Sequence, residues 1–482
     1  MRRSHTAKRW LSGFSITLGT AVLVACGSGG GDDGRTAGIE GTGIVSGFGS
    51  VYVDGIEFET TNAEIRFVGD IVDESALSVG DIVSVSGTVD NDDRASARRI
   101  VFERTLDGPV ESIEMNGARG ELVALEQTVR FDEDTTFVNL SADALNPGDL
   151  IAVSGFVVDS NLFHAESIRR NDDGFVPNGS RLEIEGDIDT VDGTQLTVGN
   201  QLIRFDNARV SPNQTALLAG QAIEAFGLRG ADRGDPLIAD EINVLDVKST
   251  DDGRRMFVEA AVRDYDGVDN FVAGGWRIDA RDAERLDDGT TPLARGVKIS
   301  VRGVFTGDRV EAETLRIDPP SDATYEADIE AVDTQAGTIT LFDRTIILPE
   351  DARYIDRRAT RDEKLRIDTL APNDPVRVQV YGTAEAPVAR SLERLASDAG
   401  NDAAVTGAIT TIDNDRMTLE LAGVTARTDA NTTYYDADGN TIDAAAFFSR
   451  ATTGSRAKVI GTQNAGEISS AQTARLLREE TD

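Results

Sequence analysis

The chain has few residues suited to nucleophilic or metal chemistry. In 482 residues there are two histidines, His5 and His164, and one cysteine, Cys26. A Ser-His-Asp or Cys-His centre needs a histidine held against its nucleophile. A zinc site built from His and Cys needs several such ligands. His5 lies in a segment expected to be removed, which leaves His164 in "NLFHAESI". The equivalent places in other copies of a repeat described below hold Ser96, Ile238, Glu311 and Val388. His164 is therefore expected to be a surface side chain at a strand start, with no catalytic role. The 84 acidic residues make carboxylate pairs common. No pair stands in the apolar setting that would raise a pKa for glycoside hydrolysis. "DADGN" (436–440) offers Asp436, Asp438 and Asn440 to a cation. An EF-hand loop needs glycine sixth and glutamate twelfth, whereas here Gly439 is fifth and Phe447 twelfth. A hairpin with an Asp-Gly turn is the expectation. The "NDD" stretches (91–93 and 171–173) are read as solvated turns. No catalytic residue, no metal site and no cofactor is expected.

Cys26 belongs to a different chemistry. Arg2, Arg3, Lys8 and Arg9 precede an apolar run from about Trp10 to Val24, too short for a convincing transmembrane helix and flanked like a secretory signal. The run ends in "LVAC" (23–26), which resembles the bacterial lipobox: cleavage falls before the cysteine, and the cysteine takes lipid. Residues 1–25 are then a lipoprotein signal peptide and Cys26 the lipidation site. Residues 26–38, containing "GSGGGDDGRTAG", form a flexible tether. No lysine follows "GSGGG", so it is no phosphate-binding loop. By resemblance to lipoprotein sorting in Gram-negative bacteria, Gly27 points to the outer membrane. The membrane, reached through the lipid anchor, is thus one expected partner.

The formal net charge is −36. Such a surface repels phosphate backbones, and binding of nucleic acid is excluded as an expectation. A single cysteine precludes an internal disulfide.

The elements that must carry any site form a repeat. "LSVGDIVSVSG" (77–87) returns as "LNPGDLIAVSG" (145–155), "LAGQAIEAFG" (218–227), "ARGVKISVRG" (294–303), "NDPVRVQVYG" (373–382) and "TTGSRAKVIG" (452–461). Alternation places Val83/Val85, Ile151/Val153, Ile223/Ala225, Ile299/Val301, Val378/Val380 and Ala457/Val459 on one inward face. The residues between them (Ser84, Ala152, Glu224, Ser300, Gln379, Lys458) are then expected to face water. Each copy ends in glycine (Gly87, Gly155, Gly227, Gly303, Gly382, Gly461), as suits a bulge at a barrel corner. A closing strand of the form Ala-x-x-aliphatic follows: "ARRI" (97–100), "AESI" (165–168), "ADEI" (239–242), "AETL" (312–315) and "ARSL" (389–392), with "AQTA" (471–474) in the sixth copy.

The fold class expected is all-β: about six tandem small β-barrels, OB-like, joined by short linkers. They span 39–104, 108–171, 181–247, 256–318, 324–396 and 403–478, with an open sandwich as the alternative. The fifth copy adds a charged stretch at 351–368, and the sixth a helical turn at 443–450. "GTGIVSGFGSVYVDGIEFET" followed by "LSVGDIVSVSG" and "ASARRI" resembles the bacterial domain of unknown function family 5666. Its members often follow a lipoprotein signal and occur in tandem. The resemblance implies no established activity and transfers no catalytic residue. Phe48, Tyr52 and Trp276 could stack on carbohydrate, but core or turn packing is preferred for them. The functional expectation is a non-enzymatic, lipid-anchored cell-envelope protein, with the barrels as beads that bind a partner protein or polysaccharide through repeated surfaces. An envelope hydrolase with its site between two copies is the alternative.

Overall fold

The computed structural model describes residues 36–478, except 68–69, 91–93, 117–118, 172, 214–215, 288, 290, 350–351, 359–364 and 397–401. In the first barrel the strands are β1 (Ala37–Gly47), β2 (Val51–Val53), β3 (Ile56–Glu59), β4 (Glu64–Phe67), β5 (Asp70–Val72), β6 (Ile82–Val89) and β7 (Ala95–Phe102). β1, β2 and β3 form an antiparallel meander, and β3 runs parallel to β7. β7 then pairs with β6, and β6 returns to β1. The ring is closed, so its five strands leave no sheet edge within it. β4 lies outside the ring as a parallel flap on β7.

The same circuit recurs five times. Barrel 2 opens at Leu106–Asn116 and closes at Leu162–Asn171, and barrel 3 spans Leu182–Asp192 to Leu237–Val244. Barrel 4 spans Arg255–Gly267 to Arg309–Ile317, barrel 5 Ala323–Asp328 to Ala386–Arg394, and barrel 6 Ala403–Asp413 to Glu467–Leu476.

The alternating inward residues are buried in all six copies, from Val83 and Val85 to Ala457 and Val459. The final glycine has a steric reason. A Cβ on Gly87 would lie 2.1 Å from the Ser96 carbonyl oxygen, and Gly155, Gly227, Gly303 and Gly461 meet the opposing strand in the same way. At each, the opposing strand carries one extra residue. That bulge explains the Ala-x-x-aliphatic spacing: the added residue lets Ala97 and Ile100, three apart, both face inward. Barrel 5 departs from the expected alignment by two residues. Its register shift lies at Gln379/Val380, so Val380 occupies the bulge position and Gly382, with φ of 91°, lies two residues further along the strand, opposite Pro387.

The barrels are not separate beads. The described residues from Thr36 onward form one compact unit, because opening strands pair across barrels. Barrels 2 and 3 join where Leu106 and Asp107 lie opposite Ile184 and Glu183. Barrels 5 and 6 join through Ala323–Glu326 and Ala404–Gly407. Barrel 1 pairs with barrel 4, far along the chain, through a parallel register from Ile39↔Arg255 to Thr42↔Val258. Gly41 is needed there, since a Cβ would lie 2.0 Å from the Phe257 carbonyl oxygen. Phe257 enters the core of barrel 1, at 5.5 Å from the Phe58 ring, and Ile355 of barrel 5 joins the same cluster.

This packing corrects the expected solvent face. None of Ser84, Ala152, Glu224, Ser300, Gln379 or Lys458 is fully exposed, and Gln379 is buried. Two of them meet another barrel: Ser300 donates to Asp54 of barrel 1 at 2.6 Å, and Gln379 to Asp134 of barrel 2 at 2.7 Å. Ser84 donates to Glu103 at 2.6 Å, and Lys248, from the expected linker between barrels 3 and 4, reaches the Ser84 hydroxyl at 3.2 Å.

Two consequences can be measured. A fragment of residues 36–104 lacks Phe257, Ile355 and the barrel 4 strand that pairs with β1, so it should show poor amide dispersion by NMR. A cooperatively folded fragment would contradict the shared core. Gly41→Val should cost at least about 1–3 kcal/mol in urea unfolding of the full chain, and no change would mean the parallel pairing is absent.

Candidate functional site

The bulge residue of the closing strand is re-aimed out of the barrel. In four barrels it is exposed: Arg98, Asp240, Glu313 and Gln472. In barrels 2 and 5 it is Glu166 and Arg390, and both turn into a junction where barrels 2, 4 and 5 meet. Glu166 is fully buried. Its Oε1 accepts from Lys298 Nζ of barrel 4 at 2.5 Å, and its Oε2 from Arg353 of barrel 5 at 3.2 Å. His164 Nδ1 lies 3.5 Å from Oε1, and His164 Nε2 lies 3.3 Å from Asp132. Burial works against ionising Glu166, but Lys298, His164 and Arg353 outweigh it and hold the carboxyl well below its ordinary range. Burial likewise opposes charge on His164, yet Asp132 and Glu166 prevail and lift it to about 9.

A turn of barrel 2 supplies the next contacts. Thr135 Oγ accepts from Asp132 N and donates to Ala165 O, which fixes residues 132–135 against the closing strand. Asp134 then receives Gln379 at 2.7 Å and Arg390 at 3.0 Å, while Glu133 receives Thr324 at 2.5 Å. All three donors belong to barrel 5.

Beside this junction, barrels 1, 4 and 5 enclose a cavity of about 380 Å³. Arg353 lines it, together with Asp54, Glu259, Ser300 and Arg302. Asp54 accepts from Ser300 at 2.6 Å and from Arg302 at 3.2 Å. Glu259 accepts from Ile44 N at 3.0 Å. Burial, reinforced by Asp54, pushes Glu259 up to about 7.

Several expected residues fall elsewhere or behave differently. Cys26 and His5 lie outside the described residues, as do 91–93 and 172. His164 is about three-quarters buried and ion-paired, which corrects the expectation of a surface side chain. Acids with raised pKa exist in spite of the sequence expectation: burial pushes Glu183 up to about 9 and Glu185 to about 7, with Glu224 adding to both. The neighbours come from separate parts of the chain, so no local pair marked them. "DADGN" is a hairpin turn, with Tyr434 opposite Ile442 and Asp436 accepting from Asn440 N at 2.9 Å. Among the described residues no group of three His, Cys, Asp or Glu could hold a metal. No helix there is long and apolar enough to cross a membrane. Phe48, Tyr52 and Trp276 are buried as packing residues, although Tyr52 also lines the cavity. The charged stretch at 351–368 was visible as an insertion. Its use was not: Arg353 reaches Glu166, and Arg357 reaches Thr136 at 2.6 Å.

These features define an all-β protein of tandem five-stranded OB-like barrels with a charged junction between them. The model of the family described as "Domain of unknown function (DUF5666)" matches residues 40–101, 107–169 and 406–471. The chain is consistent with a tandem-domain protein of that family, with matches on its first, second and sixth barrels. No curated protein matches it. Among solved structures, a chain titled "drosophila Unr CSD456" shows 15% identity over 45% of this chain and 98% of that one, with a TM-score of 0.11.

The junction makes stability depend on pH. His164 binds its proton more tightly folded than unfolded, where its ordinary value is 6.5, so its stabilisation is full below 6.5 and disappears as pH rises through about 9. The melting temperature should fall over that window, and His164→Gln should flatten the slope. An unchanged slope would mean His164 is not held charged. Glu166→Gln leaves Lys298 and Arg353 facing a neutral group, and should cost about 3–5 kcal/mol by denaturant unfolding.

Proposed function

We propose that this chain is a non-enzymatic, lipid-anchored cell-envelope protein that binds a polysaccharide or a partner protein in the cavity among barrels 1, 4 and 5. The observation that supports this reading is the cavity itself. Its volume, about 380 Å³, is within the usual range of small-ligand sites. Its walls mix carboxylates, hydroxyls, guanidinium groups and the Tyr52 ring. These groups offer hydrogen-bond partners to sugar hydroxyls beside an aromatic face, and polysaccharide is the favoured ligand. Because the barrels form one unit, a single composite site replaces the series of equivalent surfaces that beads would offer. Lipid on Cys26, and with it placement at the outer membrane, belongs to the same proposal and rests on the "LVAC" signal.

A hydrolase is the second reading. Glu259, pushed up to about 7, shares the cavity with Asp54. Two carboxyl groups in one cleft are the pair that glycosidic cleavage uses. Both groups also have structural partners, Ile44 for Glu259, and Ser300 with Arg302 for Asp54, which favours binding over turnover.

Incubating the full chain with polysaccharide extracted from its own envelope separates the two. Retention of polymer of unchanged length is expected. Shortened polymer, protected by Glu259→Gln, would replace binding with hydrolysis. Cys26→Ser should abolish acyl labelling and release the protein from membranes; retention without lipid would sink the anchor.

A further inference from the structure

Of the charged side chains that line the cavity among barrels 1, 4 and 5, all but one are matched by an opposite charge. Asp54 pairs with Arg302 at 3.2 Å, and Arg316 with Asp318 at 3.3 Å. Arg353 pairs with Glu166 at 3.2 Å, and Asp356 with Arg358 at 2.7 Å and Arg394 at 2.6 Å. Glu259 is only 6% exposed, yet it has no ion pair among the described residues. Its Oε2 accepts from Ile44 N at 3.0 Å. Its Oε1 accepts no hydrogen bond among the described residues. Unlike the Nε and Nη2 of Arg353, that oxygen is not shut away from the surface, so it opens on the cavity. A carboxylate taken out of water without a cation is costly.

We infer that Glu259 Oε1 receives the ammonium group of an amino sugar bound in the cavity. This deepens the binding reading and rests on it. The lining arginines do not fill that role, since each is engaged with another carboxylate. An anionic ligand would meet Glu259 unpaired, with Asp54 beside it, whereas one added cation completes the balance of charge. Among the described residues no group of three His, Cys, Asp or Glu could hold a metal, so the cation that fits is organic. The remaining walls are suited to a sugar ring. Tyr52, Leu286 and Leu365 offer apolar surface to the C–H face of a pyranose, and Ser46 and Thr314 bring hydroxyls. Burial, reinforced by Asp54, pushes Glu259 up to about 7, so it is ionised in part at neutral pH, and an adjacent ammonium draws it to the charged form. The chain's net charge of −36 favours the approach of cations.

The test titrates the purified full chain with glucosamine, N-acetylglucosamine and Nα-acetyl-lysine amide, read by isothermal calorimetry at pH 7. None of the three has a glycosidic bond, so hydrolysis cannot affect the result. Glucosamine should bind about tenfold or more tightly than N-acetylglucosamine, whose nitrogen is uncharged, as charged hydrogen bonds predict. Glu259→Gln keeps an acceptor for Ile44 N but removes the charge, and should bring glucosamine down to the level of N-acetylglucosamine. Glu259→Asp serves as a second variant: it keeps the charge but draws it back by one methylene, and should retain a smaller preference. Circular dichroism confirms that each variant is folded. Equal affinity for the two sugars would overturn the inference, as would a preference that survives Glu259→Gln. Tighter binding of the lysine derivative than of glucosamine would assign the site to a peptide and overturn it too. Envelope polysaccharide retained equally by wild type and Glu259→Gln would leave the binding reading standing and remove only this subsite. Loss of polysaccharide retention in the wild type would remove the binding reading itself.

Discussion

A carboxylate removed from water must find positive charge, and Glu166 finds it on three sides. Lys298 comes from barrel 4, Arg353 from barrel 5 and His164 from its own strand. A buried ion cluster of this kind adds little net stability over an apolar contact. Its value is specificity: the barrels must sit so that these charges coincide, or each is left buried alone. Asp134 repeats the arrangement with Gln379 and Arg390, and Asp81 of barrel 1 pairs with Ser167 and Arg169 of barrel 2. The relative placement of barrels 1, 2, 4 and 5 depends on these contacts as much as on apolar packing.

One structural device is used in two ways. The bulge exists to let a short strand turn the corner of a small barrel, and it requires glycine or a tolerated substitute on the facing strand. Where the barrel faces solvent, the extra residue is merely polar. Where two barrels meet, the same residue becomes the strongest connector available, because the bulge has already turned it away from its own core. The cavity follows from this, since Arg353 lies on the flap strand that the junction pulls between barrels 1 and 4.

Much of the barrel could be derived from residue order alone. Alternation identified the inward residues of the recurring strand, and the glycine placed its bulge. Both are local, set by a period of two and by backbone sterics. The two-residue error in barrel 5 came from the same source: with period two, a shift of two preserves the face, and only the strand pairing reveals that Val380, not Gly382, opposes the bulge. The outer face was misjudged because polarity at Ser300 and Gln379 looks the same whether the partner is water or another barrel.

The amino-acid sequence by itself determined the repeat, the all-β class and the inward face of each barrel, because these depend on neighbours a few residues apart. It also carries the "LVAC" stretch that ends at Cys26, on which the proposed lipid anchor rests and which is read from order and not from shape. Only the tertiary structure decided that barrel 1 pairs with barrel 4, and that Glu166, Lys298 and Arg353 share one junction. The reason is range. Lys298 is 132 positions from Glu166 and Arg353 is 187, so no local pattern links them. Each carries a charge like dozens of others in the chain, until burial removes the water that would otherwise make such charges equivalent.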